Sequence, residues 1–189
     1  MKKKLLIAVA AMALIVACVV GGSLAYLFVG TAPVVNTFEY GDINITLTES
    51  ENLDLKMIPG SDIEKDPVVT VSANSEACWL FVKIEESANF DTFMTYEIDD
   101  GWTQGNGTDI PADVYYRDVP ATEDDTEFAV LKDNKVLVKA SVLKTDLNAL
   151  TESTMPTLTF TAYAVQRANV ADAAAAWAIA QNNGSPANS

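Results

Sequence analysis

Ile58-Pro59-Gly60-Ser61-Asp62-Ile63-Glu64-Lys65-Asp66-Pro67-Val68-Val69-Thr70-Val71-Ser72-Ala73-Asn74-Ser75-Glu76-Ala77-Cys78-Trp79-Leu80-Phe81-Val82-Lys83-Ile84-Glu85 decides the fold class of this chain. Pro59 presets φ for the second position of a turn, and Gly60 accepts the positive φ that a type II turn needs at the third. Two β-rich runs follow, Val68 to Ala73 and Cys78 to Glu85, separated by the polar Asn74-Ser75-Glu76. In the second run Cys78, Leu80, Val82 and Ile84 alternate with Trp79, Phe81, Lys83 and Glu85. The pattern predicts a β-hairpin with one fully apolar face, which a second layer must cover. It contains no catalytic group.

Outward from that stretch the chain reads as strands and turns. Ile43, Ile45 and Leu47 alternate with Asn44, Thr46 and Thr48. Leu53 to Ile58 is a short extended piece, and Thr92 to Ile98 and Val114 to Arg117 are candidate strands, with a further short one starting at Trp102. Asp118 to Glu127 reads as an acidic loop, Lys135 to Leu143 as a strand, and Asp146 to Glu152 as one helical turn. Thr157 to Gln166 is the cleanest strand, with Leu158, Phe160, Ala162 and Ala164 on one side. The convincing helix comes last: Asn169 or Asp172 caps it, Ala173 to Ala176 propagate it, and Trp177 begins its apolar stripe. About seven to nine strands punctuated by turns predict an all-β fold, an immunoglobulin-like or jelly-roll β-sandwich.

The N-terminus carries an export segment. Lys2, Lys3 and Lys4 precede an apolar run from Leu5 to Val20, and Ser23-Leu24-Ala25 offers small residues for cleavage between Ala25 and Tyr26. Two alternatives stay open. The run from Leu5 to Gly30 carries no charge and is long enough to anchor the chain in a bilayer if uncleaved. Ile15-Val16-Ala17-Cys18 loosely fits a lipidation site at Cys18. The predicted organisation is a signal peptide over 1–25, an extended arm over 26–35, a sandwich domain over 36–181 and a disordered tail over 182–189. The arm, with Tyr26, Leu27, Phe28, Val29, Val34 and Val35, is apolar but interrupted by Gly30 and Pro33, so it reads as extended rather than as a settled strand.

Charge and composition exclude several functions. The 189 residues hold 26 acidic and 12 basic side chains; loss of Lys2, Lys3 and Lys4 leaves 9 basic ones and a formal charge of −17. Such a surface repels nucleic acid and anionic lipid, which leaves the uncleaved leader as the route to a membrane. Histidine is absent from the whole sequence, which removes zincin motifs, Ser-His-Asp triads and imidazole bases. Cys78 is the one cysteine beyond the leader and reads as a buried small hydrophobe. Carboxylates crowd the loops at Asp99-Asp100, Asp109 with Asp113, and Glu123-Asp124-Asp125. They read as a solvated acidic surface, with calcium as a weak alternative. The expectation is a non-enzymatic protein without a cofactor.

The order of several motifs resembles a known family. They are Lys2-Lys3-Lys4 with a run ending Gly-Gly-Ser-Leu-Ala-Tyr, Asn36-Thr37-Phe38 before Gly41-Asp42-Ile43-Asn44-Ile45-Thr46-Leu47, and Pro59-Gly60-Ser61 before Ile63-Glu64-Lys65-Asp66. Leu80-Phe81-Val82-Lys83 and Ala162-Tyr163-Ala164-Val165-Gln166 complete the series. The chain resembles the TasA/camelysin (CotN-like) family of secreted proteins of Gram-positive bacteria, whose leaders suit SipW-type signal peptidases. The resemblance implies a jelly-roll-like sandwich and, as in the best-known members, extracellular fibres of the biofilm matrix. It implies copies of the chain as partners, joined by strand donation with Tyr26 to Val35 as the donor, and a signal peptidase during export. Camelysin-like members are also described as metallopeptidases. A monomeric surface module that binds glycan or protein is the third reading.

Overall fold

The fold was analysed on a computed structural model, in which residues 42–50 and 56–183 are described. The described residues belong to one compact unit, Tyr40–Ser189. Ten strands run as β1 (Ile45–Thr48), β2 (Asp62–Glu64), β3 (Val68–Val71), β4 (Cys78–Glu86), β5 (Met94–Thr95), β6 (Thr103–Gln104), β7 (Val114–Val119), β8 (Thr126–Ala129), β9 (Lys135–Val138) and β10 (Leu158–Gln166). Three helices interrupt them: α1 (Phe90–Phe93), α2 (Lys144–Asn148) and α3 (Ala173–Asn183). All strand pairs are antiparallel, in the orders β1-β3-β8, β2-β9-β5 and β10-β4-β7-β6. The all-β expectation holds.

The two three-stranded sheets are one interrupted surface. The arm 62–71 lies antiparallel to the arm 126–138, through β2 on β9 and β3 on β8. Between these ladders the amide of Lys65 donates to Asn134 O, 2.9 Å, and that of Val130 to Pro67 O, 3.0 Å. Pro67 has no N–H to give, and Asp133 and Asn134 take positive φ, 55° and 52°, so the regular ladder breaks there. This surface forms one layer of a sandwich, and the four-stranded sheet forms the other.

The opening stretch folds differently from its reading as a hairpin. β3 and β4 do not pair: β3 lies between β1 and β8, and β4 lies between β10 and β7. Asn74-Ser75-Glu76 carries the chain across the core, with Asn74 at φ 62° and Ser75 buried. The reason lies in the side chains. Val69 and Val71 need the same apolar partners as Cys78, Leu80, Val82 and Ile84, and two strands in one sheet stand side by side without covering each other. Placed in opposite layers, the two faces meet in a single buried cluster. The turn before them is as read: Gly60 sits at φ 80°, and the Ser61 amide donates to Ile58 O, 3.0 Å.

The other face of β4 is covered as well. Phe81 packs beneath α3, with Trp177 at 5.3 Å between ring centroids and Tyr116 at 6.1 Å. Val114, Val165, Ala176 and Ala180 complete this second cluster. The alanine-rich helix is thin enough to lie close on the sheet. Asp172 caps it, its Oδ1 accepting the Ala175 amide at 2.9 Å. Two regions depart from the strand reading. Thr92 to Ile98 gives one turn of helix, the two-residue β5 and a lone bridge from Ile98 to Leu131, and the acidic loop ends early because β8 begins at Thr126.

Candidate functional site at the open seam

β2 and β10 each stand at the edge of a sheet, and β1 lies close beside β10. Among the described strands, β2 pairs on one side only, with β9, and β10 on one side only, with β4. Between them lies a groove of about 380 Å³. Its floor is the core itself, made by Ile63 of β2, Phe90 of α1, Met94 of β5 and Val136 of β9. Met57, Met155, Pro156 and Leu158 form its rim. Met155 is 48 % exposed, a large apolar side chain held in water beside an apolar floor. Ile58, next to Met57 in the chain, is also exposed.

One end of the groove is charged. Lys65 lines it, forms an ion pair with Glu49, and lies over the Phe160 ring at 5.6 Å. Lys65 thereby links the β2–β3 connection to the inner face of β10. Beside it, the amide and hydroxyl of Ser50 donate to the Asp66 carboxylate, and these bonds hold its carboxyl below the usual range. Of the other lining residues Thr157 alone is polar.

The carboxylates singled out in the sequence go separate ways. Asp125 accepts the Ala73 amide at 2.7 Å, Asp109 accepts from Asn106 at 3.1 Å, and Asp99 faces Arg117, whose guanidinium is held below its usual range by burial while the Asp99 charge pulls the other way. Arg117 points inward from β7 and stacks over Phe128 at 4.0 Å and Trp102 at 5.4 Å, tying the layers opposite the seam. Of the remaining aromatics, Trp79 and Tyr116 meet edge to face at 6.3 Å beside α3, and Tyr115 packs against the main core.

The family model described as camelysin metallo-endopeptidase matches residues 1–116. The chain belongs to the camelysin family. The match runs from residue 1 as far as β7, so it includes Met57, Ile63, Lys65, Phe90 and Met94 of the groove and stops before Met155 and Leu158. No curated protein and no solved structure matches the chain. The description of camelysin names a metal, which the donor chemistry here does not fit. The sequence has no histidine, and among the described residues no three Cys, Asp or Glu side chains stand together as ligands. Cys78 is fully buried in the core, with its thiol pushed up to about 11 by burial.

The residues named as functional from the sequence, Ala25 and Tyr26 at the cleavage point and Tyr26, Leu27, Phe28, Val29, Val34 and Val35 in the arm, lie outside the described residues. The groove was not foreseen. Its signal in the sequence is faint: Met57 and Met155 are apolar residues close to prolines, in stretches that read as connections. Among the described residues no helix is long and apolar enough to cross a membrane.

Proposed function

We propose that this camelysin-family chain is a secreted structural protein of the cell surface or biofilm matrix that assembles into fibres by strand donation. The observation that carries the reading is the seam: two one-sided strand edges flanking an apolar groove that opens the core to solvent. Unpaired edge N–H and C=O groups accept a further strand, and alternate side chains of that strand fill the groove. The arm from Tyr26 to Val35 of a second copy has the matching character. It is uncharged, carries large apolar residues at Leu27, Phe28, Val29, Val34 and Val35, and at ten residues spans about 33 Å when extended. That is enough to run along the nine residues of β10. Pro33 gives no ladder hydrogen bond and suits the end of such a strand.

Export exposes the arm. While the leader is attached, Tyr26 continues an apolar run; cleavage after Ala25 by a signal peptidase frees it as a terminus. The protein then needs no cofactor and no partner beyond its own copies. Electron microscopy of two chains tests this, one beginning at Tyr26 and one at Asn36. Filaments are expected from the first alone, and filaments from the second overturn strand donation by the arm.

The description of the family as a metallo-endopeptidase favours a second reading, a secreted peptidase. Zinc-dependent proteolysis by a monomeric preparation supports that reading, whereas filaments without proteolysis support the first.

A further inference from the structure

The chain holds 5 methionines, of which Met1 and Met12 lie in the leader. The other three, Met57, Met94 and Met155, all line the groove. They are graded in exposure: Met155 is 48 % exposed, Met57 is half-buried on the rim, and Met94 is 8 % exposed on the floor. Thioether side chains adapt to an incoming apolar strand better than branched ones, which suits a docking groove. They are also the apolar side chains that a peroxide converts to polar ones.

We infer that Met155, followed by Met57, is an oxidation site through which hydrogen peroxide or an organic hydroperoxide shuts the groove to the arm of the next copy. The inference rests on the assembly reading above. In the step, the sulfur lone pair takes one oxygen of hydrogen peroxide and the O–O bond breaks. The other oxygen leaves as water with both protons, so sulfur is oxidised by two electrons and the peroxide reduced by two. The sulfoxide is a polar acceptor in a groove whose lining side chains offer donors only at Thr157 and Lys65. Lys65, the nearby cation, is already engaged by Glu49 and the Phe160 ring. A strand that buries the sulfoxide strips it of water without replacing its hydrogen bonds. Oxidation at Met155 leaves the fold intact, because that side chain is not part of the core, whereas oxidation at Met94 places the polar group inside it.

The chain beginning at Tyr26 is treated with graded hydrogen peroxide, and the oxidised positions are mapped by peptide mass. Met155 is expected to react first, Met57 next and Met94 last. At the dose that leaves Met94 intact, the concentration needed for filament growth is expected to rise roughly tenfold or more. Methionine sulfoxide reductases are expected to restore it, and in this chain they have no substrate outside the groove. Met94 reacting as fast as Met155, or filaments growing equally well from protein oxidised at Met155, overturns the switch alone. Unoxidised protein that never assembles overturns the assembly reading together with the switch built on it.

Discussion

Cys78 stands on the inner face of β4, fully buried, and its thiol is pushed up from 9.0 to about 11, first by burial and then by the negative charge of Asp118. The folded state therefore holds this proton more tightly than the unfolded chain does. Its contribution to stability is full below pH 9 and is lost as the pH rises through the interval up to about 11. Urea denaturation at about pH 8 and about pH 10.5 checks this. The wild-type chain is expected to lose more stability across the interval than Cys78→Ala, whose loss reflects the tyrosines and lysines alone. Equal losses would remove the thiol from the account. The sequence already placed this residue in the core, because alternation along 78–85 fixes the face on which it lies. Alternation says nothing of what lies across from that face, so the thiol's neighbours waited for the fold.

At the scale of elements, α3 turns the four-stranded sheet into the middle of three layers at that side of the protein. Trp177 is 4 % exposed between Phe81 and Tyr163, at 5.3 and 5.5 Å, and its indole N–H has no hydrogen-bond partner. Its contribution is therefore ring area and packing rather than a polar bond. Trp177→Ala is expected to cost about 3–5 kcal/mol and Trp177→Phe much less, by chemical denaturation. Equal costs for the two would mean that the indole N–H matters after all. The helix itself was legible, since Asp172, the alanine run and Trp177 form a start signal followed by a propagating stretch. The hairpin was misread for an equally physical reason. Two β runs joined by a short polar link look alike whether they pair in one sheet or cross between two, and only the demand of both apolar faces for the same core separates the cases. β5 lies inside the candidate strand Thr92 to Ile98 and β6 follows Trp102, where a short strand is expected; at two residues each they carry too little alternation for their bounds to be read.

At the scale of the whole molecule, the described residues form a sandwich whose layers are tied on one side through Arg117, Trp102 and Phe128 and which carries a groove on the other, between β2 and β10. The class of fold was legible because strand alternation and turn residues recur along the chain. The seam was not, because it is made by residues far apart in sequence, Met57 and Ile63 against Met155 and Leu158, on elements that meet only when the layers stack. The camelysin family match covers the N-terminal part of the chain, residues 1–116, and with it β1 to β6 and the start of β7.

The most direct measurement is a disulfide between copies. Phe28→Cys in one chain and Thr157→Cys in another, both with Cys78→Ala, are mixed, allowed to assemble and oxidised with a mild thiol oxidant. The account predicts a crosslinked heterodimer between the arm and the β10 rim, and no comparable product when Thr157→Cys is replaced by Asp125→Cys on the exposed loop before β8. Filaments that form without the arm-to-rim crosslink, or that crosslink equally at Asp125, would contradict it.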